Sequence, residues 1–246
     1  MNSNQTVIVT GASSGLGFAI AQAYLARGYN VVGNARSLDR LQTAAARLGN
    51  PANLLLVAGD IARPQTAKAL FAQAIEAFGK VDILINNAGI FIPKAITEYT
   101  EEEVDSIVNT NLKGFFYPSQ AAAAHMTANG AGHIVTITAS IAMQPNVKVP
   151  ALLPVLIKGG LNHATRALAL ELAAAGVKVN AVAPGIIDTP MHGKDEGTRN
   201  FLNQLSPSGR IGQDQDVVDA VLYLTDSSFT SGTVMVVDGG STSGTW

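Results

Sequence analysis

"TVIVTGASSGLG", residues 6–17, decides how this chain folds. The run "TVIVT" (6–10) is β-branched and almost wholly apolar, as a strand buried on both faces should be. Glycines at 11, 15 and 17 then turn the chain into "GFAIAQAYLARG" (17–28), an apolar, alanine-rich stretch that reads as a helix. A strand that passes through a glycine turn into a helix is the first half of a βαβ unit. The rest of the sequence repeats that alternation.

Six further runs read as strands: "NVVGN" (30–34), "NLLLV" (53–57), "VDILIN" (81–86), "HIVTIT" (133–138), "KVNAV" (178–182) and "TVMVV" (233–237). Helical stretches lie between them at 37–49, 64–79, 101–130 and 159–176, and several end on glycine, a common helix stop. Seven strands with helical crossovers predict an α/β fold, a doubly wound seven-stranded parallel sheet flanked by helices. The length, 246 residues, suits one large domain over 1–246 better than two small ones. No internal repeat or linker interrupts it. The polar stretch "PGIIDTPMHGKDEGTRN" (184–200) reads as a long loop and a lid over a site.

Composition narrows the function. Hydrophobic residues make up 47% of the chain, enough for a sizeable core, and only 14% are charged. A net charge of −2 offers no basic surface for nucleic acid. The sparse charge suggests subunits that bury each other's faces. With no cysteine, disulfides, thiolate zinc sites and cysteine nucleophiles are excluded, and no metal is expected. The start of the chain lacks a cationic region ahead of an apolar stretch, and the apolar runs are far shorter than the roughly 20 residues that span a bilayer. A cytoplasmic protein without a membrane segment is the expectation.

The glycine turn carries chemistry as well as fold. Glycines there allow a tight bend and let backbone N–H groups approach a pyrophosphate, whose charge the helix N-terminus favours. The alternative is a tight strand–helix turn and nothing more. Further landmarks follow in order: "NNAG" at 86–89, "NTNLKG" at 109–114, "VNAVAPGIIDTPM" at 179–191 and "VVDGG" at 236–240. Together with "TGASSGLG" they cover nearly the whole chain and resemble the short-chain dehydrogenase/reductase family. The resemblance implies a Rossmann-type domain, a nicotinamide cofactor, a small carbonyl or alcohol substrate and a homotetramer. It places Gly11, Ser13, Ser14, Gly15, Leu16 and Gly17 on the cofactor, Asp60 and Ile61 at the adenine, and Asn87, Ala88 and Gly89 along the ribose. Pro184, Gly185, Ile187 and Thr189 would lie at the nicotinamide end. Asn86 would brace the sheet through backbone.

The end of the second strand bears on which cofactor is used. An acidic side chain there accepts from both ribose hydroxyls and repels a 2′-phosphate. Here the place is held by Ala35, with Arg36 next. A guanidinium without a competing carboxylate suits a phosphate, so NADP(H) is favoured over NAD(H). Ser14, where many NADP-binding relatives carry a second basic residue, leaves that case incomplete. Arg36 as a solvated helix-start residue is the bland alternative.

The family's catalytic set is an asparagine, a serine, a tyrosine and a lysine. Asn111 matches the first, where its amide would anchor a water and bend the helix; Ser140 matches the second and Lys158 the fourth, which also holds the cofactor ribose. Thr138 and Ala139 leave the register of Ser140 open by one. The third is missing: the tyrosines stand at 24, 29, 99, 117 and 223, and Pro154 occupies the position four before Lys158. Residues i and i+4 share a helix face, so the preserved spacing keeps the helix start and loses the phenol. His133, His125 and His163 are too far along or around their elements to substitute. His192 and Lys148 remain as groups that could approach, as does water held by Asn111 and Lys158. The sequence therefore points to an oxidoreductase with an atypical proton relay, or to a cofactor-binding homologue without turnover.

Overall fold

The computed structural model describes residues 5–189 and 196–244. The chain order is β1 (Thr6–Thr10), α1 (Gly15–Ala26), β2 (Asn30–Ala35), α2 (Leu38–Arg47), β3 (Leu54–Ala58), α3 (Pro64–Phe78), β4 (Ile83–Asn86), α4 (Glu101–Ile107), α5 (Gly114–Asn129), β5 (Gly132–Ile137), α6 (Leu152–Leu172), β6 (Val177–Pro184), α7 (Glu196–Asn203), α8 (Asp214–Asp226) and β7 (Val234–Val237). All seven strands join one parallel sheet in the order β3-β2-β1-β4-β5-β6-β7. The chain winds outward from β1 to β3, then returns to lay β4 against the other side of β1. That reversal opens a crevice at the carboxyl ends of β1 and β4, where folds of this kind hold ligands.

The two-residue period of β1 divides the core. Val7 and Val9 face a layer containing Ile20 and Tyr24 of α1 and Val217 and Val221 of α8. Ile8, between them, faces the opposite layer with Leu70 and Phe71 of α3 and Ala122 and Met126 of α5. Strands covered on both sides explain why their sequences are continuous apolar runs rather than alternating ones.

Several elements differ from the sequence reading. The stretch 101–130 is two helices, because a π-helical segment, Val108–Lys113, separates α4 from α5. α6 starts at Leu152, which puts Pro154 in its first turn as its place before Lys158 implies and adds "LLPVLI" ahead of the alanine-rich stretch, so that Lys158 lies well inside. α8 was not anticipated, although Gln213 and Asp216 form a capping box at its start. α7 occupies part of the stretch read as a loop. His192 and the middle of that stretch lie outside the described residues.

Candidate active site

Thr10, the last residue of β1, builds the crevice. Its hydroxyl donates to the carbonyl of Ile85 at 3.3 Å and accepts from the backbone N–H groups of Asn87 and Ala88, both at 3.0 Å. The Asn87 amide donates back to the Thr10 carbonyl at 2.9 Å. The chain leaving β4 is thereby tied to the glycine turn. Asn86, next along, donates to the Ser119 hydroxyl at 2.9 Å and so braces a helix through a side chain rather than backbone. Gly17 has no room for more: a Cβ there would lie 2.3 Å from the Gly11 carbonyl oxygen and 2.5 Å from the Asn87 amide nitrogen. Gly11 itself has φ +69°, in the left-handed region that suits glycine.

No side chain caps the first turn of α1, and that turn holds no acidic residue. Its N–H groups and the positive end of the helix dipole are therefore available to an anion. One cavity of about 990 Å³ runs from this turn across the sheet edge to Ser140 and Lys158. Every residue expected on the cofactor lines it except Gly17, which serves the helix–turn contact instead.

At the β2 end the cavity is lined by Ala35, Arg36, Ser37 and Arg40. Arg40 was not anticipated. Its guanidinium donates to the Ser14 hydroxyl at 3.4 Å, so it stands where the glycine turn itself has no basic residue. Arg47, two helical turns on, stacks its guanidinium 4.2 Å from the centre of the Phe18 ring and fixes α2 against α1. Among the described residues neither Arg36 nor Arg40 has an acidic partner. Across from them, Asp60 holds the turn after β3 by accepting from the Ala62 N–H at 3.1 Å. Asn34, also unanticipated, is buried and donates to the carbonyls of Val57 and Gly59 at 2.9 and 3.2 Å, which shapes the cavity floor.

The other end gathers Ser140, Lys158 and Asn111. Thr138 donates to the carbonyl of Val182 at 3.2 Å, as a strand-end hydroxyl would. The Ser140 hydroxyl makes no hydrogen bond to protein among the described residues and lines the cavity, which settles which of the two is free. Lys158 is 8% exposed and donates to the Ile137 carbonyl at 2.7 Å. Burial with no opposite charge lowers its pKa from 10.5 to about 8. A Cβ on Gly89 would come within 3.4 Å of the Lys158 Nζ and 3.2 Å of the Asn111 Oδ1, so glycine leaves both groups room beside the chain leaving β4.

Asn111 stands where the helix is locally distorted, as the resemblance implies. Its amide is engaged by backbone: Oδ1 accepts from the Ile90 N–H at 2.8 Å and Nδ2 donates to the Ile90 carbonyl at 2.9 Å. These two bonds tie the π-helical segment to the chain leaving β4, along the cavity wall.

Pro154 is buried in the first turn of α6 and does not line the cavity. No tyrosine or histidine among the described residues lines it either. Tyr24 is buried against the Thr225 hydroxyl at 2.7 Å, and the Tyr99 hydroxyl donates to the Ile92 carbonyl at 2.6 Å. His125 accepts from the Val81 N–H at 3.0 Å, and His133 lies in the middle of the sheet beside Ile83; burial lowers the pKa of both. Lys148, by contrast, reaches the cavity rim from the loop after Ser140.

Residues 11–242 match the family model described as enoyl-(acyl carrier protein) reductase. Among curated proteins, the chain is 35% identical over 241 residues to the (2S)-[(R)-hydroxy(phenyl)methyl]succinyl-CoA dehydrogenase subunit BbsD of Thauera aromatica, covering 96% of each. Among solved structures, ElxO with NADP bound superposes with a TM-score of 0.92 at 27% identity, over 98% of this chain and 100% of that one. The 3-ketoacyl-(acyl-carrier-protein) reductase from Brucella melitensis, complexed with NADH, superposes with a TM-score of 0.88 at 30% identity, over 96% and 98% of the two chains.

Proposed function

Because this chain belongs to the short-chain dehydrogenase/reductase family, we propose that it is an NADP(H)-dependent oxidoreductase acting on a small carbonyl or alcohol, with an active site that lacks the family's tyrosine. One observation carries the reading. A single cavity of about 990 Å³ joins an uncapped helix N-terminus and two arginines to a serine hydroxyl and a buried lysine; among the described residues the arginines have no acidic partner and the serine hydroxyl no hydrogen bond to protein. That volume is at the upper end of the roughly 300–1,000 Å³ usual for small-molecule sites.

The residues present fit a dinucleotide. The first turn of α1 would hold the pyrophosphate, Arg36 and Arg40 the 2′-phosphate, and Asp60 with Ile61 the adenine side. Asn87, Ala88, Gly89 and Lys158 would flank the ribose, and Pro184, Gly185, Ile187 and Thr189 the nicotinamide end. The bound cofactor supplies the hydride, chemistry that no side chain can provide. Ser140 would orient the carbonyl oxygen by donating a hydrogen bond. The relatives bear on the cofactor from both sides, since one solved structure holds NADP and another NADH. The two arginines and the absence of a carboxylate at Ala35 favour NADP(H) in this chain.

A homotetramer accords with the apolar outer surface of the helices: Phe116 on α5 and Leu152, Leu156 and Leu170 on α6 are exposed. A sedimenting monomer at micromolar concentration would contradict it. No helix among the described residues is long and apolar enough to cross a membrane.

A second reading, an NADP(H)-binding homologue without turnover that serves as a sensor or assembly partner, is favoured by Pro154 alone. Steady-state NADPH consumption over a panel of ketones and aldehydes, with calorimetry for both cofactors, separates the two. Turnover supports the first reading. Tight NADPH binding without turnover supports the second, and tighter NADH binding overturns the cofactor preference.

A further inference from the structure

A carbonyl reduced in this cavity needs a proton, and few groups there can give one. Among the described residues, the ionisable side chains lining the cavity are Arg36, Arg40, Asp60, Lys148 and Lys158. Arginine keeps its protons at any working pH. Asp60 stands at the far end, in the turn after β3. Lys148 is exposed on the rim with no hydrogen bond or ion pair fixing its ammonium among the described residues. Lys158 alone is both buried and held at the Ser140 end, by the Ile137 carbonyl at 2.7 Å and the close approach of Gly89.

We propose that the Lys158 ammonium is itself the proton donor in carbonyl reduction, and its amine the acceptor in alcohol oxidation. This rests on the oxidoreductase reading above and assigns the step that the missing phenol leaves open. As the carbonyl carbon gains a hydride, the π pair of the C=O bond moves to oxygen. The oxygen forms an O–H bond with a proton from Nζ, and the former N–H pair stays on nitrogen as the lone pair of a neutral amine. Solvent returns the proton to the amine before the next cycle.

The surroundings suit that role. Charged groups on the elements packed against α6 are Lys178 on β6, Lys113 in the π-helical segment, and Glu101, Glu102, Glu103 and Asp105 on α4; α6 itself carries His163, Arg166 and Glu171. None of them, nor Lys148, sets the Lys158 pKa, whose depression comes from burial. Burial alone makes the ammonium easier to deprotonate and brings its pKa to about 8, close to the working range in which a general acid is most effective. Ser140, with a hydroxyl free of protein partners, would hold the oxygen that receives the proton.

The test joins a titration with kinetics. Lysine labelled at Cε reports the Lys158 titration by NMR in the protein without substrate, and kcat/KM for reduction is measured from pH 6 to about 10. The expected result is a titration near pH 8 and a rate that falls about tenfold per pH unit above the same value. In Lys158→Arg, which keeps a cation but holds its protons, kcat should drop by roughly 10²–10⁴ and the inflection should vanish. Because Lys158 would also flank the ribose, NADPH affinity is measured in each variant and kcat is compared at saturating NADPH. If Lys158→Arg does not fold, Lys158→Met is read in the same way. A rate that survives in either variant, or an inflection that stays when Lys158 is gone, overturns the proposal while the oxidoreductase reading stands. A wild type that binds NADPH and reduces nothing in the panel overturns both.

Discussion

Replacing Pro154 with tyrosine should convert an atypical site into an ordinary one. Position 154 precedes Lys158 by one helical turn, about 6 Å along the axis and about 40° around it, so a phenol there leans over the same face. The backbone tolerates the change. Pro154 lies in the first turn of α6, where the first helical bond recorded runs from the Val155 N–H to the Ala151 carbonyl at 2.9 Å; an N–H at 154 would be one of the helix's orphans in any case. Packing is the cost. Pro154 is buried, and a larger side chain should destabilise by about 1–3 kcal/mol. For a chain of this size that is a fall in Tm of roughly 2–4 °C per kcal/mol. Against it, a positioned acid contributes about 10²–10⁴ in rate, or about 3–5 kcal/mol of barrier. Because Lys158 already supplies part of that, the expected gain is at least about tenfold in kcat for simple ketones and aldehydes, read as loss of NADPH absorbance. Leu153→Tyr is the control. Leu153 packs against the apolar cluster of Ile107, Phe115, Ile157 and Leu161, so its phenol should enter that wall and bring no gain. If Pro154→Tyr folds, binds NADPH and remains as slow as wild type, the cavity differs from its relatives by more than one side chain and the reasoning fails.

Other expectations follow from the same contacts. Arg36→Ala and Arg40→Ala should each weaken NADPH binding by about tenfold, about 1.4 kcal/mol, with little effect on NADH, and Ala35→Asp should shift preference towards NADH; calorimetry that finds equal losses for both cofactors would count against the phosphate assignment. Thr10→Val removes the acceptor shared by the Asn87 and Ala88 N–H groups and should cost about 2–4 kcal/mol, because both lie in part-buried surroundings; denaturant unfolding with no change in midpoint would refute it. Lys158→Met should change how stability depends on pH. In wild type the lysine pKa is depressed from 10.5 to about 8, so between those values the unfolded chain holds a proton that the folded one has released. Wild-type stability therefore gains about 3 kcal/mol from this group as pH rises through that window, an upper-end figure. The advantage of Lys158→Met below pH 8 should shrink above it, and parallel pH–stability curves for the two proteins would contradict the assignment.

Much of this molecule is legible from short stretches. Strands buried on both faces, glycine turns and helix stops are written within about ten residues of one another, because backbone sterics and side-chain period act locally. That is enough for the seven-stranded sheet and for the glycine turn, and the proline four residues before Lys158 is visible in the same way. Tertiary structure decided what those stretches could not. Arg40 meets Ser14, Asn111 is engaged by Ile90, and Thr138 rather than Ser140 is bound to Val182, each through contacts made after distant segments have crossed the sheet. The extent of the π-helical break at Val108–Lys113 depends on packing too: the resemblance implies only a bend at Asn111, and the contacts with Ile90 are made across the fold. A side chain's chemistry is fixed by its identity. Whether that chemistry faces a cavity, water or a backbone carbonyl depends on neighbours tens to hundreds of residues away, which only the folded chain brings to it.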